Sequence, residues 1–144
     1  MPRKEIIYPF ITDHLLLAIK HNFPVNERLK SKKTIQKLFS KGKDTFVFPL
    51  KVKFILQQNP SPTPPQVLFT VPKRNFKSAV DRNAIKRLLK EAYRLNKHQL
   101  QDKAGNYKIA KIGFIYIAKE KLPLDQIQRK TILIFERFIP INIC

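Results

Sequence analysis

The sequence predicts an α/β sandwich: one small, mainly four-stranded sheet with three helices packed on it. Three observations lead there. The chain has 144 residues, enough for one domain with a single core. Its apolar fraction of 43% is that of a globular protein, not a disordered one. The hydrophobic period also switches along the chain, in the order helix, strands, helix, strand, helix.

Residues 1–25 read as an extension with one short helix, which Thr12 or Asp13 could cap, and residues 26–140 as the domain. Ser31 opens the first helix of the domain. Ile35, Leu38 and Phe39 share one face of it, and Gly42 is placed to end it in a left-handed conformation. Phe46, Phe48, Leu50, Val52, Phe54 and Leu56 then alternate with Val47, Pro49, Lys51, Lys53, Ile55 and Gln57, a strand period with one consistently apolar face. Pro49 marks an edge strand or a break in pairing, so this is one bent strand or two. The run from Asn59 to Pro65 holds four prolines and reads as a stiff hairpin loop before a β-branched strand, Val67–Val71. Ser78 to Asp81 resembles a capping box for a helix from about Ala79 to about Lys97. Ile109–Ala118 is apolar on both faces, as a central strand requires, with Lys111 needing a route to solvent. Pro123 and Asp125 open a last helix whose inner side carries Ile127, Thr131, Ile134, Phe135 and Phe138.

Charge narrows the class of partner. The formal net charge is +19 and the sequence pI is about 10.3. Self-repulsion at that charge works against the compact state, which points to a polyanionic partner. The single cysteine, Cys144, allows no disulfide framework and fits a reducing compartment. No apolar run approaches the roughly 20 residues of a membrane span; the best, Leu15–Ile19, is far too short. Arg3 and Lys4 resemble the start of a signal peptide, but Glu5, Pro9, Asp13 and His14 interrupt the apolar region behind them.

The helix after Ser78 concentrates the charge. At 100° per residue, Arg82, Asn83, Lys86, Arg87, Lys90, Arg94 and Lys97 fall within about 140° of one another. Ala84, Ile85, Leu88, Leu89, Ala92 and Leu95 occupy the opposite arc. Like charges at i, i+4 cost an isolated helix a few tenths of a kcal/mol, and Arg82, Lys86, Lys90 and Arg94 repeat at that spacing, with Glu91 the only nearby anion on the second half. Such a row becomes favourable against phosphates. The bland alternative is an ordinary solvated face. Lys73, Arg74 and Lys77 extend the patch ahead of the helix.

At these residues the chain resembles the protein subunit of bacterial ribonuclease P. The family signature R-N-x-x-K-R-x-x-R/K-E reads here Arg82-Asn83-Ala84-Ile85-Lys86-Arg87-Leu88-Leu89-Lys90-Glu91, behind Val71-Pro72-Lys73-Arg74. Arg28-Leu29-Lys30 through Phe39, with Lys41-Gly42, is similar to the family's first helix and following turn. The resemblance covers roughly Glu27 to Phe138. Ala84 stands where many members have a third basic residue, Lys90 where many have Arg, and Ile35 where an aromatic is common.

The resemblance implies a cytoplasmic ribonucleoprotein that removes the 5′ leader from precursor tRNA. It implies a fold like the second domain of a small-subunit ribosomal protein, with a left-handed crossover between parallel strands, an exception to the usual hand. Magnesium ions and the catalytic centre are then held mainly by the RNA subunit. The partners are the catalytic RNA and precursor tRNA, with no membrane and no required protein partner. Lys73, Arg74, Arg82, Asn83, Lys86, Arg87, Lys90 and Arg94 would face the catalytic RNA, where arginine binds phosphate with two parallel hydrogen bonds. Ile35, Phe39, Phe46, Phe48, Lys51 and Lys53 would line a cleft for the single-stranded leader, with the phenylalanines stacking on bases or else packing in the core.

The residues suggest no catalytic site in the protein itself. His14, His21 and His98 are scattered, the acids are separated in sequence, and no glycine-rich phosphate loop occurs. Two other classes compete. A ribosomal-type structural RNA-binding protein would share the charge and the fold class. A DNA reader would pair its basic helix with a helix-turn-helix partner, which the flanking strands disfavour.

Overall fold

The computed structural model describes Phe23 and residues 25–138. The extension's proposed short helix, with Thr12 or Asp13 as its cap, lies outside the described residues. A 3-10 turn, Val25–Glu27, leads into α1 (Lys32–Lys41), β1 (Lys43–Val47), β2 (Leu50–Ser61), β3 (Gln66–Thr70), α2 (Ala79–Asn96), a second 3-10 turn (Lys97–Leu100), β4 (Tyr107–Tyr116) and α3 (Leu124–Arg137). The sheet order is β1-β2-β4-β3. β2 runs antiparallel to both β1 and β4, with Phe46 opposite Lys51 and Val52 opposite Phe114, while β3 runs parallel to β4.

Each sheet face has its own partner. Val52, Phe54, Phe69, Ile112, Phe114 and Tyr116 point to one face, where Ile85, Leu89, Ala92 and Tyr93 of α2 and Ile127, Ile134 and Phe135 of α3 close the core. Thr131 and Phe138 are buried with them, so all five residues expected on the inner side of α3 lie there. Aromatic edges meet rings throughout this layer, as in the Tyr93–Phe114 and Phe54–Phe138 pairs. α1 covers the other face. Leu38, fully buried, sits on Gly113 of β4, where a β-carbon would come within 3.0 Å of Leu38 Cδ2. Glycine at this position is what lets the helix approach the sheet.

Four details depart from the sequence reading. Gly42 does not end α1 in the left-handed region; its φ is −70° and its ψ 150°. It is needed for space instead, because a β-carbon there would run into the Leu38 carbonyl. Ser78 caps α2 without a side-chain bond, and Asp81 pairs with Lys121 at 2.5 Å instead of closing a capping box. The alternation through Phe46 to Leu56 does not form a single apolar face. The chain reverses at Phe48-Pro49, so Phe46 joins Lys51 on the α1 side while Leu50, Val52 and Phe54 face the core. The proline run is no hairpin loop: β2 continues through Asn59 and Pro60 to Ser61, and the following residues cross the end of β4 to reach β3. β4 is the central strand foreseen. Lys111 finds its outlet on the α1 side, where Nζ donates to Gln66 Oε1 at 2.7 Å.

Candidate nucleic-acid interface

The buried stripe of α2 is Ile85, Leu89, Ala92, Tyr93 and Asn96, spaced as a helix packed on a sheet requires. This leaves the cationic side turned out. Asn83 and Arg87 are exposed, and Lys86 and Lys90 are half-buried along their stems. Among the described residues Lys86, Arg87 and Lys90 make no ion pair. Lys73 is exposed on the segment that precedes the helix.

Three members of the expected stripe do other work. Arg82 Nη1 donates to the carbonyls of Phe76 and Lys77, at 2.8 and 2.9 Å. Phe76 is itself buried beside Tyr116. Arg82 therefore fastens the segment after β3 to the first turn of α2, with its remaining guanidinium nitrogens left for a ligand. Arg94 is paired with Glu91 one turn back. Lys97 is not on the outer face at all. It is 6% exposed, and its Nζ donates to both carboxylate oxygens of Glu27, at 3.0 and 3.2 Å. α2 ends at Asn96, so the 3-10 turn swings Lys97 off the helical projection and towards the turn that precedes α1. Nearby, burial, with Glu27's charge adding to it, pushes the hydroxyl pKa values of Tyr93 and Tyr107 up.

On the α1 side of the sheet lies a groove of about 950 Å³, lined by Asp44, Thr45, Phe46, Lys51, Arg74, Ile115, Ile117 and Arg137. Phe46 is 50% exposed, so core packing does not explain it. The groove gathers Phe46 and Lys51 from the expected cleft and brings in Arg74, which the sequence placed with α2. Ile35, Phe39, Phe48 and Lys53 are not among its lining residues. Ile35 and Phe39 are half-buried on α1, and Phe48 is exposed at the β1–β2 turn. Lys53 serves the scaffold instead. Its Nζ donates to the Phe39 carbonyl at 3.2 Å and lies 4.0 Å from Asp44 Oδ2, tying the C-terminal turn of α1 to β2. Sequence reasoning missed Ile115 and Ile117 as groove floor, although their alternation on β4 was visible. It also missed Arg137, which nothing local distinguishes from a solvated last-turn cation.

Across the described residues no cluster of three His, Cys, Asp or Glu side chains is placed to hold a metal ion. Five acids are paired singly with cations, as Glu27–Lys97, Asp44–Lys53, Asp81–Lys121, Glu91–Arg94 and Asp125–Arg129, and Asp102 accepts from the backbone of Ala104 and Asn106. No described helix is long and apolar enough to cross a membrane.

The family model described as Ribonuclease P matches residues 23–138. The chain belongs to the ribonuclease P protein family. Among relatives, the ribonuclease P protein component of Porphyromonas gingivalis is 37% identical over 105 residues, which is 72% of this chain and 77% of that one. The component from Chlorobaculum tepidum is 42% identical over 86 residues, 54% of this chain and 52% of its own. Solved structures share the fold. The Thermotoga maritima RNase P protein superposes with a TM-score of 0.62 at 21% identity, covering 76% of this chain and 96% of that one. The Staphylococcus aureus protein gives 0.59 at 22%, covering 76% and 93%.

Proposed function

We propose that this chain is the protein subunit of ribonuclease P, acting in the cytoplasm with the catalytic RNA on precursor tRNA. The reading rests on one observation above all. In a member of this family, the two surfaces fitted to RNA lie on opposite sides of one sheet. The outer face of α2 offers Lys86, Arg87 and Lys90 to phosphates, with Asn83 able to donate and accept at a base edge or 2′-hydroxyl. The groove under β1 offers a half-exposed ring beside Lys51 and Arg74, the pairing of stacking platform and cation that suits an unpaired strand. The catalytic RNA then lies along α2 and the 5′ leader along the groove, so the protein holds substrate and ribozyme together.

The chemistry belongs to the RNA in this reading. Magnesium ions held by that RNA would supply the Lewis-acid chemistry of the hydrolysis. The described residues do not fit such a role, because no three of their His, Cys, Asp or Glu side chains are gathered to hold a metal, and Glu27 and Asp81 are already paired with Lys97 and Lys121. What they supply is neutralised phosphate repulsion and a fixed leader.

Reconstitution tests the proposal. Added to the catalytic RNA at low magnesium, the protein is expected to restore leader cleavage, and alone it is expected to cleave nothing. Absence of stimulation would favour a ribosomal-type RNA-binding protein, and cleavage without RNA would place the chemistry back on the protein.

A further inference from the structure

Arg137, in the last turn of α3, crosses to the outer edge of β1. Its Nη1 donates to Thr45 Oγ1 at 3.0 Å and to the carbonyl of Phe46 at 2.9 Å. β1 is a five-residue edge strand, paired on one side only by β2. Short edges fray, because half their backbone groups have no ladder partner. Phe46 sits in that edge with its ring half-exposed over the groove, and it has no packed core around it to fix its position. Beyond the ladder to β2, the Arg137 bond to the Phe46 carbonyl is what holds the free side of the strand at this residue. One guanidinium nitrogen is occupied this way, and the others remain at the groove wall.

We infer that Arg137 is a positioning residue for the leader site. It clamps the β1 edge so that the Phe46 ring is held as a preformed stacking platform opposite Arg74 and beside Lys51. The inference rests on the proposed function, since it needs the groove to take single-stranded RNA. It adds a residue from the far end of the chain, outside both the basic helix and the expected cleft. A preformed platform avoids the cost of ordering the ring and its strand when the base arrives, and that saving is what binding gains. Lys51 and Arg74 meet the phosphates flanking the stacked base, a role that needs charge but not a fixed ring.

The test uses holoenzyme assembled from the catalytic RNA and the full chain. Affinities are measured for precursor tRNA and for mature tRNA lacking the leader, with wild type, F46A, R137A, R137K and the F46A/R137A double variant. The expected result for R137A is a loss of about five- to ten-fold in precursor affinity, the lower part of the range for losing one stacked base. Mature tRNA and catalytic-RNA affinities should not change. R137K should recover part of the loss, because a lysine can still donate to the carbonyl. In the F46A background R137A should add nothing, since the two act through one ring. Additive losses would overturn the inference by showing that Arg137 binds RNA independently. An equal loss for mature tRNA, or for assembly with the catalytic RNA, would overturn it by showing a general structural role. F46A separates this inference from the reading beneath it. If F46A abolishes the preference for leader-bearing substrate and R137A does not touch it, only the Arg137 assignment fails. If wild type shows no such preference, the leader groove itself is wrong.

Discussion

Lys97→Met removes one half of a buried ion pair, and its consequences separate structure from RNA contact. Lys97 and Glu27 are each 7% exposed at the side chain, and they join residues 70 positions apart in sequence. With Lys97 gone, the Glu27 carboxylate is left buried without its counter-charge. Stranding such a group costs about 3–5 kcal/mol. For a domain of this size each kcal/mol is worth roughly 3–5 °C in melting temperature, so the variant should melt about 10–20 °C lower. A double variant, E27L with K97M, replaces the pair by apolar side chains of similar volume. It should regain most of the loss, because desolvation of both charges disappears with them. The assay is thermal unfolding followed by circular dichroism, run beside salt titrations of catalytic-RNA binding. At a temperature where both variants are folded, the salt slope should equal that of wild type, since Lys97 meets no phosphate. Melting of K97M within about 3 °C of wild type would show that the pair is not a buried one in solution. A salt slope lower by about 0.9, the value of one lost phosphate contact, would show that Lys97 binds RNA after all.

Three further outcomes follow from the same contacts. Gly113→Ala places a β-carbon against Leu38, so it should destabilise by about 1–3 kcal/mol in urea unfolding, while catalytic-RNA affinity, measured where the variant is folded, holds. Arg82→Lys keeps the charge but loses the paired bonds to the Phe76 and Lys77 carbonyls, which should cost about 1–2 kcal/mol in the same assay and leave the salt slope of RNA binding unchanged. Burial first, with Glu27's charge adding to it for two of them, raises the hydroxyls of Tyr93, Tyr107 and Tyr116 above their ordinary value of 10.0. The unfolded chain therefore loses these protons at lower pH than the native chain, so stability is full and independent of these groups' titration below about 10 and should fall as pH rises above it. Alkaline melting curves should show that fall, and Tyr93→Phe should make it shallower.

The parts of this molecule that were legible in the sequence are those set by local period. The inner side of α3 follows from Ile127, Thr131, Ile134, Phe135 and Phe138, and the two-sided burial of β4 from an apolar run with few interruptions. Long-range geometry was not legible. No local pattern says that β4 inserts between β2 and β3, and without that insertion a proline run between two strands looks like a hairpin loop. The same gap explains the site. Helical projection correctly turned Lys86, Arg87 and Lys90 outward, but it cannot know that the helix stops at Asn96, so it carried Lys97 onto a face the chain never presents. Arg74 and Arg137 line one groove although they are 63 residues apart in the chain, a juxtaposition that only the tertiary fold creates. Gly42 illustrates a milder failure: the right residue for the right helix end, chosen for its lack of a β-carbon rather than for a left-handed backbone.

Whether the outer face of α2 meets the catalytic RNA can be decided by one titration. The K86E/R87E variant is bound to that RNA across a range of salt concentrations, in parallel with wild type. Both side chains lie outside the core and make no ion pair among the described residues, so the fold should be unaffected. The expected result is weaker binding and a log–log salt slope shallower by about 2, one unit for each lost phosphate contact. Wild-type affinity with an unchanged slope would contradict the assignment of α2 to the RNA.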